Sequence, residues 1–544
     1  MTQKHAEMAQ KSVEITQKNA KNTQKTLEIT RKNAEIGGFR VAILGLIVGT
    51  TACTVGPKYV KPSTPVSAAY REQLPPNFKE QDWKVGEPSD QLKKGKWWEI
   101  FQDSQLSSLE EQVNVSNQTV AAAEAQFRQA RAVVQAARAG LYPTVTGSAS
   151  VIGQRSSGSR SSSSGSANGS GFSPGASADI GLTGAVSWVP DLWGQIHKTI
   201  EADVASAQVT AAQLENARLS LQAELALDYF QLRGLDSERQ LLDTNVAGYL
   251  QALELTQNRF NQGVASQIDV AQAQTQLETT RAQATETQVA RAQFEHAIAI
   301  LIGKPPSELS IAAVTATPQP PAIPGMVPSQ LLERRPDIAA AERQVASANA
   351  EIGVAKTAFY PTLTLGLSAG LEGSSLLNLF SWPSRLFSLG PSLAQTFFDA
   401  GKRRALTAEA QAAYDATVAN YRENVLAAFQ QVEDQLAALR ILDQESKEQS
   451  LAVAAAERSL SLALIQYQGG VTAYLQVITA QAAALQNENT AVQLLTRRMT
   501  ASVDLIQALG GGWTVADLPT ADQITAKSSG IAQAPPPSSQ PTTP

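Results

Sequence analysis

Cys53 is the only cysteine in 544 residues, and the residues before it indicate what its thiol is for. Arg40 precedes the apolar run Val41 to Val48, and Thr51 and Ala52 lead directly into the thiol. A charged n-region, a short apolar h-region and a small-residue cleavage site make an export signal. A cysteine just past the cut resembles a bacterial lipobox, in which the sulfur is acylated as the first residue of the mature chain. About 12 apolar residues are too few for a spanning helix, which needs about 20. Other chemistry is scarce. His5, His197 and His296 are scattered, so neither a disulfide framework nor a Cys/His metal cage can be built. There is no Gly-rich phosphate loop, Gly-x-Ser-x-Gly elbow or His-Glu-x-x-His helix, so the sequence indicates no enzyme and no cofactor. Arg334, Arg335 and Asp337 invite a functional reading, yet Asp337 directly after Pro336 fits a helix N-terminus, where a carboxylate meets the positive end of the dipole. Asp191 and Asp399, each shortly before a glycine that opens a long helix, read as caps.

The elements that would position such residues repeat. Gly194, Gly263 and Gly303 are separated by 69 and then 40 positions, and so are Gly401, Gly470 and Gly510. Phe260-Asn261-Gln262-Gly263-Val264 answers Tyr467-Gln468-Gly469-Gly470-Val471, and Gly140-Leu141-Tyr142-Pro143-Thr144 answers Ala358-Phe359-Tyr360-Pro361-Thr362. A repeat of roughly 210 residues, present twice, is two copies of one large unit and not a solenoid. Residues run without proline from Gly194 to Gly263 and from Gly401 to Gly470 with Ala, Gln, Leu and Glu at helical spacing. A continuous helix of that length reaches on the order of 100 Å. The composition, 43% hydrophobic but only 6% aromatic, suits such closely packed helices better than a thick globular core. A net charge of -5 and a pI near 5.5 leave no basic footprint for nucleic acid.

Four segments break the helical pattern: residues 142 to 152, 179 to 189, 361 to 371 and 386 to 398. Each is about ten residues long, the length of a tilted transmembrane strand. Four strands cannot close, and an open sheet in lipid leaves unpaired backbone groups at its edges. Eight strands are about the minimum for closure, and so small a barrel fills its own interior. Several chains must contribute, and three would give twelve strands around an open lumen. Gly153 to Ser177, almost entirely Ser, Gly, Ala and Asn, reads as a mobile loop between two strands. The chain therefore divides into a polar extension (1–39), a signal segment (40–52), an extended segment (53–100), a first repeat (101–310, with strand pair 142–189 and helical hairpin 194–303), a second repeat (330–515, with strand pair 361–398 and helical hairpin 401–510) and a disordered Pro/Ser-rich tail (516–544).

The run Leu332-Glu333-Arg334-Arg335-Pro336-Asp337-Ile338, followed by Ala341-Glu342, Ala348-Asn349-Ala350, Ile352-Gly353-Val354-Ala355 and Phe359-Tyr360-Pro361, closely resembles the outer-membrane factors of Gram-negative efflux systems, the TolC/OprM type of lipoprotein. Cys53 to Tyr59, Trp97-Trp98 and the pattern Phe101, Asp103, Leu106, Leu109 are also similar to that family, so the resemblance covers about residues 53 to 515. It implies a trimeric conduit in the outer membrane, a twelve-stranded β-barrel with four strands per chain, continuous with a long α-helical coiled-coil tunnel in the periplasm. Its implied partners are outer-membrane lipid, a periplasmic adaptor and an inner-membrane pump. A type I protein-secretion channel of the same fold is the alternative within this class. A non-channel coiled-coil envelope scaffold would explain the helices but not the strands.

TolC-like channels are held shut at the periplasmic end by acidic residues a few positions after the hairpin glycine, where three-fold symmetry turns one carboxylate into a ring. Here Gly470 to Gln481 contains no acid, and Gln476 and Thr479 occupy the places where the resemblance leads one to expect aspartates. The matching stretch after Gly263 keeps one carboxylate, Asp269. The expected aperture is Tyr474, Leu475, Gln476 and Thr479, with Asp269 supplying what negative ring remains.

Overall fold

The computed structural model describes residues 55–64, 70–72, 96–154, 177–314, 320–321 and 333–526, in two compact units. Cys53, residues 1–39 and 40–52, most of the Ser/Gly tract and residues 527–544 lie outside the described residues.

One unit comprises residues 141–154, 177–198 and 356–399, with Val55 and Gly56. Its strands, β1 (Thr144–Gln154), β2 (Ser177–Trp188), β3 (Thr362–Gly373) and β4 (Arg385–Ala394), form one antiparallel sheet in the order β1-β2-β3-β4. The last strand ends four residues before the expected Phe398. Its register places Val145, Val186, Leu367 and Leu389 in one row and Ala149, Leu182, Leu371 and Arg385 in another. Because successive side chains alternate across a sheet, one face is lined by Val, Leu, Ile and Phe. The other carries Thr146, Ser148, Thr183, Thr364, Ser368, Ser388 and Ser392. Phe387 and Leu389 on the apolar face are 84% and 75% exposed. At the end of the sheet, Trp188 Nε1 donates to the Leu141 carbonyl at 3.0 Å and Trp193 Nε1 to the Pro361 carbonyl at 2.7 Å. The Trp193 ring stacks on Tyr360 at 4.9 Å. Asp191 Oδ2 accepts from the His197 backbone N–H at 2.8 Å, in the first turn of the helix that opens at Gln195.

The second unit comprises the described residues within 57–140, 199–355 and 400–526. Its helices are α1 (Ser104–Ser116), α2 (Gln118–Ala139), α3 (Gln195–Asn261), α4 (Gln267–Leu301), α5 (Pro336–Thr357), α6 (Lys402–Gln468), α7 (Tyr474–Ala508) and α8 (Ala521–Thr525). α3 and α6 both have 67 residues, and α4 and α7 both have 35, so the glycine spacing translates into equal helices. The stretch from Asp103 to Ala139 reads as one helix in sequence but is two. Asn117 sits at φ -69°, ψ 126°, its carboxamide oxygen accepts from Thr119 and Val120, and its Nδ2 donates to the Leu301 carbonyl at 2.8 Å. An Asn that caps the next helix while reaching a distant carbonyl ends the previous one.

The core of this unit gathers Trp97, Trp98, Phe101, Leu106, Tyr229, Phe230, Ile298, Ile302, Tyr421, Val425 and Ile506. Within it, Asp236 accepts from Arg233 at 2.9 Å and from Arg291 at 2.7 Å, and Arg233 reaches the Gln105 side chain and the Ala312 carbonyl. Arg335 forks onto Asp337 and also donates to the Ala508 carbonyl at 3.0 Å, which satisfies the end of α7. The Glu-Arg-Arg-Pro-Asp run thus acts in helix termination and helix initiation together. Before it, Tyr59 donates to Glu342, and the Arg71 and Glu72 amides donate to the two oxygens of Glu433 at 2.7 and 2.9 Å.

Residues 516–526 correct the expected disordered tail. Thr520 and Gln523 form a capping box, Ile524 is fully buried with Val134, Val204 and Ala207, and Gln135 and Arg138 donate to the Thr525 carbonyl. Leu518 packs against Val209, Ala212, Ala339 and Ala340, and Gln208 donates to the Pro519 carbonyl at 3.0 Å, so apolar burial and side-chain donors fasten this segment at several points.

One buried group runs against its surroundings. Glu110 lies on the apolar stripe of α1 with Leu106, Leu109 and Val113, is fully buried, and neither carboxyl oxygen has a hydrogen-bond partner among the described residues. Burial pushes its pKa well above the usual carboxylate range. A raised native pKa means that folding takes up a proton, so this group's contribution to stability is fully present below its unfolded pKa. That contribution is lost as pH rises through the raised value. Glu110→Met is therefore expected to stabilise the protein at neutral pH by about 1–3 kcal/mol, the cost of an unpartnered buried polar group. The gain should shrink towards pH 4 in thermal unfolding followed by circular dichroism. An equal or larger gain at pH 4 would contradict a protonated Glu110.

Candidate functional site

Two features carry geometry that could serve a function: the two-faced sheet and, separately, the ends of the two long hairpins. At α3–α4 the chain turns on Gly263 (φ +75°), with Val264 N–H donating to the Arg259 carbonyl and Gly263 N–H to that of Phe260. At α6–α7 it turns on Gly470 (φ +72°), with Val471 N–H on Gln466 and Gly470 N–H on Tyr467. Both are left-handed helix stops of the Schellman type, which glycine adopts without strain.

The hairpin ends are joined within one chain. Arg259 Nη1 donates to the Tyr467 and Gln468 carbonyls at 2.8 and 3.1 Å, and its guanidinium lies 4.7 Å above the Tyr467 ring. A cation at the C-terminus of a helix meets both open carbonyls and the negative end of the dipole. Tyr467 packs on Tyr474 with ring centres 5.1 Å apart, and Ala273 and Val477 complete a small apolar cluster. Further along, Tyr249 donates to the Gln481 carbonyl at 3.3 Å. Burial, with Tyr467 close by, pushes the Tyr474 pKa up to about 12, so the phenol stays neutral.

The structure separates the expected aperture residues by role. Tyr474 is buried between the hairpins, whereas Leu475, Gln476 and Thr479 are exposed on α7. Asp269 is half-buried at the third position of α4; its carboxylate accepts from the Ser266 amide at 2.9 Å, and its own backbone N–H donates to Ser266 Oγ at 3.2 Å. Its carboxylate is thus already engaged in a capping box. Arg259 is a functional residue beyond the expected set; an arginine four residues before the hairpin glycine is a C-terminal helix signal. Its real partner, the end of α6, lies 208 residues away. Among the described residues no three His, Cys, Asp or Glu side chains group to hold a metal, and no helix is long and apolar enough to cross a membrane.

Comparison with known proteins then bears on both features. The family described as outer membrane efflux protein matches residues 109–304 and 327–511. The outer membrane protein OprJ of Pseudomonas aeruginosa is 29% identical over 87% of this chain and 96% of its own length. The pyoverdine export outer membrane protein OpmQ of Pseudomonas putida is 31% identical over 78% and 89%. Among solved structures, the outer-membrane channel OprN superposes with a TM-score of 0.74 at 29% identity, covering 85% of this chain and all of that one.

Proposed function

This chain belongs to the outer membrane efflux protein family, and from that premise we propose how its two units form a channel. It is the outer-membrane component of an efflux system. The observation that carries the reading is the four-stranded sheet, apolar on one face and hydroxyl-lined on the other, with β1 and β4 as unpaired edges. Unpaired edges are not tolerated in hydrocarbon, so the edges of neighbouring copies pair, and three copies give a twelve-stranded barrel with the Ser/Thr face inward. The long hairpins form the periplasmic tunnel and meet an adaptor and an inner-membrane pump. Acyl chains on Cys53 hold the mature N-terminus at the membrane. The work is passage without bond chemistry, and the cargo is set by the pump. OpmQ is named for pyoverdine export, which shows only what one relative carries.

In this reading the closed end is held by Arg259 and by Tyr467 against Tyr474, while Leu475, Gln476 and Thr479 face the axis. Arg259→Ala removes the bond between the hairpins and is expected to raise single-channel conductance or open time in planar bilayers several-fold. Thr479→Asp adds a carboxylate ring and is expected to introduce block by multivalent cations, and Asp269→Asn to weaken any block the native channel shows. Purified protein that forms no trimer and no conducting pore would overturn the channel reading. Conductance unchanged by Arg259→Ala would remove that residue from the closed state.

A further inference from the structure

The connection between β3 and β4, residues 374–384, is an uncharged run, Ser-Ser-Leu-Leu-Asn-Leu-Phe-Ser-Trp-Pro-Ser. Leu376, Leu377, Phe380 and Trp382 are 70%, 95%, 71% and 78% exposed. So many bare apolar side chains on one short loop mark an interaction surface. The loop has its own internal order. The Asn378 and Ser381 amides donate to the carbonyls of Ser375 and Asn378, Ser384 Oγ donates to the Asn378 carbonyl at 2.7 Å, and Leu379 is buried.

Gly373 tells on which side of the sheet the loop lies. It is in register with Ile180, so a side chain there would stand on the apolar face. The position of its missing Cβ is 3.4 Å from Ser384 Oγ and 3.6 Å from Leu379 Cα. The loop therefore folds over the apolar face and away from the hydroxyl-lined one. Arg385, in register with Leu371 on that same face, holds its guanidinium 4.4 Å above the Trp382 ring and makes no ion pair among the described residues.

We infer that this loop and Arg385 form a seat for a phosphate-bearing lipid of the outer leaflet, with Leu376, Leu377 and Phe380 against its acyl chains and Arg385 at its phosphate. The inference rests on the outer-membrane reading above. It follows from continuity with the apolar face, which Phe387 and Leu389 extend, and from charge. A cation at the rim of an apolar band, stacked on a tryptophan, suits the boundary between acyl chains and anionic head groups.

The test uses the full-length protein in nanodiscs of phosphatidylcholine with dibrominated acyl chains, with and without lipid A. Bromine is expected to quench a component of tryptophan emission that is missing in Trp382→Phe. In native mass spectrometry Arg385→Gln should bind lipid A about fivefold more weakly, the effect of one cation near an anionic membrane surface. Inorganic phosphate should not displace the lipid. If bromine leaves the Trp382 component untouched, whether aqueous iodide reaches the ring or a neighbouring copy shields it, the seat does not exist. Equal lipid A binding by Arg385→Gln, or displacement by free phosphate, overturns it as well. Conductance of the same preparation separates the two readings. A conducting channel with an unquenched Trp382 refutes the lipid seat alone, and a preparation that never conducts refutes the channel.

Discussion

Asp236→Ala is expected to destabilise the helical unit by about 3–5 kcal/mol, the cost of removing one partner from a buried ion pair. Asp236 and Arg233 have side chains only 3% and 5% exposed, and Arg291 closes the triad from α4. Without the carboxylate the buried Arg233 guanidinium is left with the Ala312 carbonyl, the Gln105 side chain and the Tyr229 ring, while Arg291, 21% exposed, keeps Glu295. Thermal unfolding in detergent, followed by circular dichroism, measures the loss. Two companions identify its origin. Arg233→Met combined with Asp236→Leu should recover part of the stability, because the most buried charge of the triad is then gone and Arg291 keeps its pair with Glu295. Arg281→Ala removes the exposed pair with Glu278 and should cost less than about 1 kcal/mol. If Asp236→Ala proves as mild as Arg281→Ala, the triad is not buried in solution.

Gly510→Ala should cost about 3 kcal/mol, whereas Gly263→Ala, at a similar backbone angle, should cost about 1. Both glycines have positive φ, +92° and +75°, and left-handed backbone costs an alanine roughly 1–2 kcal/mol at either site. They differ in their surroundings. At Gly510 a methyl group would overlap the Arg334 carbonyl, whereas at Gly263 nothing lies within 4 Å. Forcing a methyl into a filled site adds about 1–3 kcal/mol. Gly303, which would overlap the Ser116 carbonyl, should behave like Gly510. The same unfolding experiment ranks them, and equal losses at Gly263 and Gly510 would show that conformation alone decides.

This contrast also shows how far the sequence can be read. Glycine spacing announced two helical hairpins of equal length, because a left-handed stop favours glycine. It could not say that two of those glycines are also pressed against another segment's backbone. The strands were legible as four ten-residue breaks in a helical pattern, since alternation is local. Their register and the loop folded over one face depend on pairing between distant segments. At the hairpin ends, Asp269 and Thr479 could be placed by counting from the glycines. The capping box that occupies Asp269 was implicit in Ser266 three residues earlier. The burial of Tyr474 between the hairpins, and the bonds from Arg259 to the end of α6, depend on contacts about 200 residues apart and leave no mark in a local window. Thr520-Ala521-Asp522-Gln523 was a capping box in plain sight, overshadowed by the Pro/Ser-rich composition that follows it.

The clasp made by that last segment bears on when the molecule can finish folding. Arg138 and Thr525, joined by a hydrogen bond, are 387 positions apart in the chain. Contacts of such separation form late, because the loop-closure entropy comes before the contact that compensates it. Synthesis delivers Thr525 only after all four described strands and both hairpins, so α2 stays unfastened on this side until every one of them has been made.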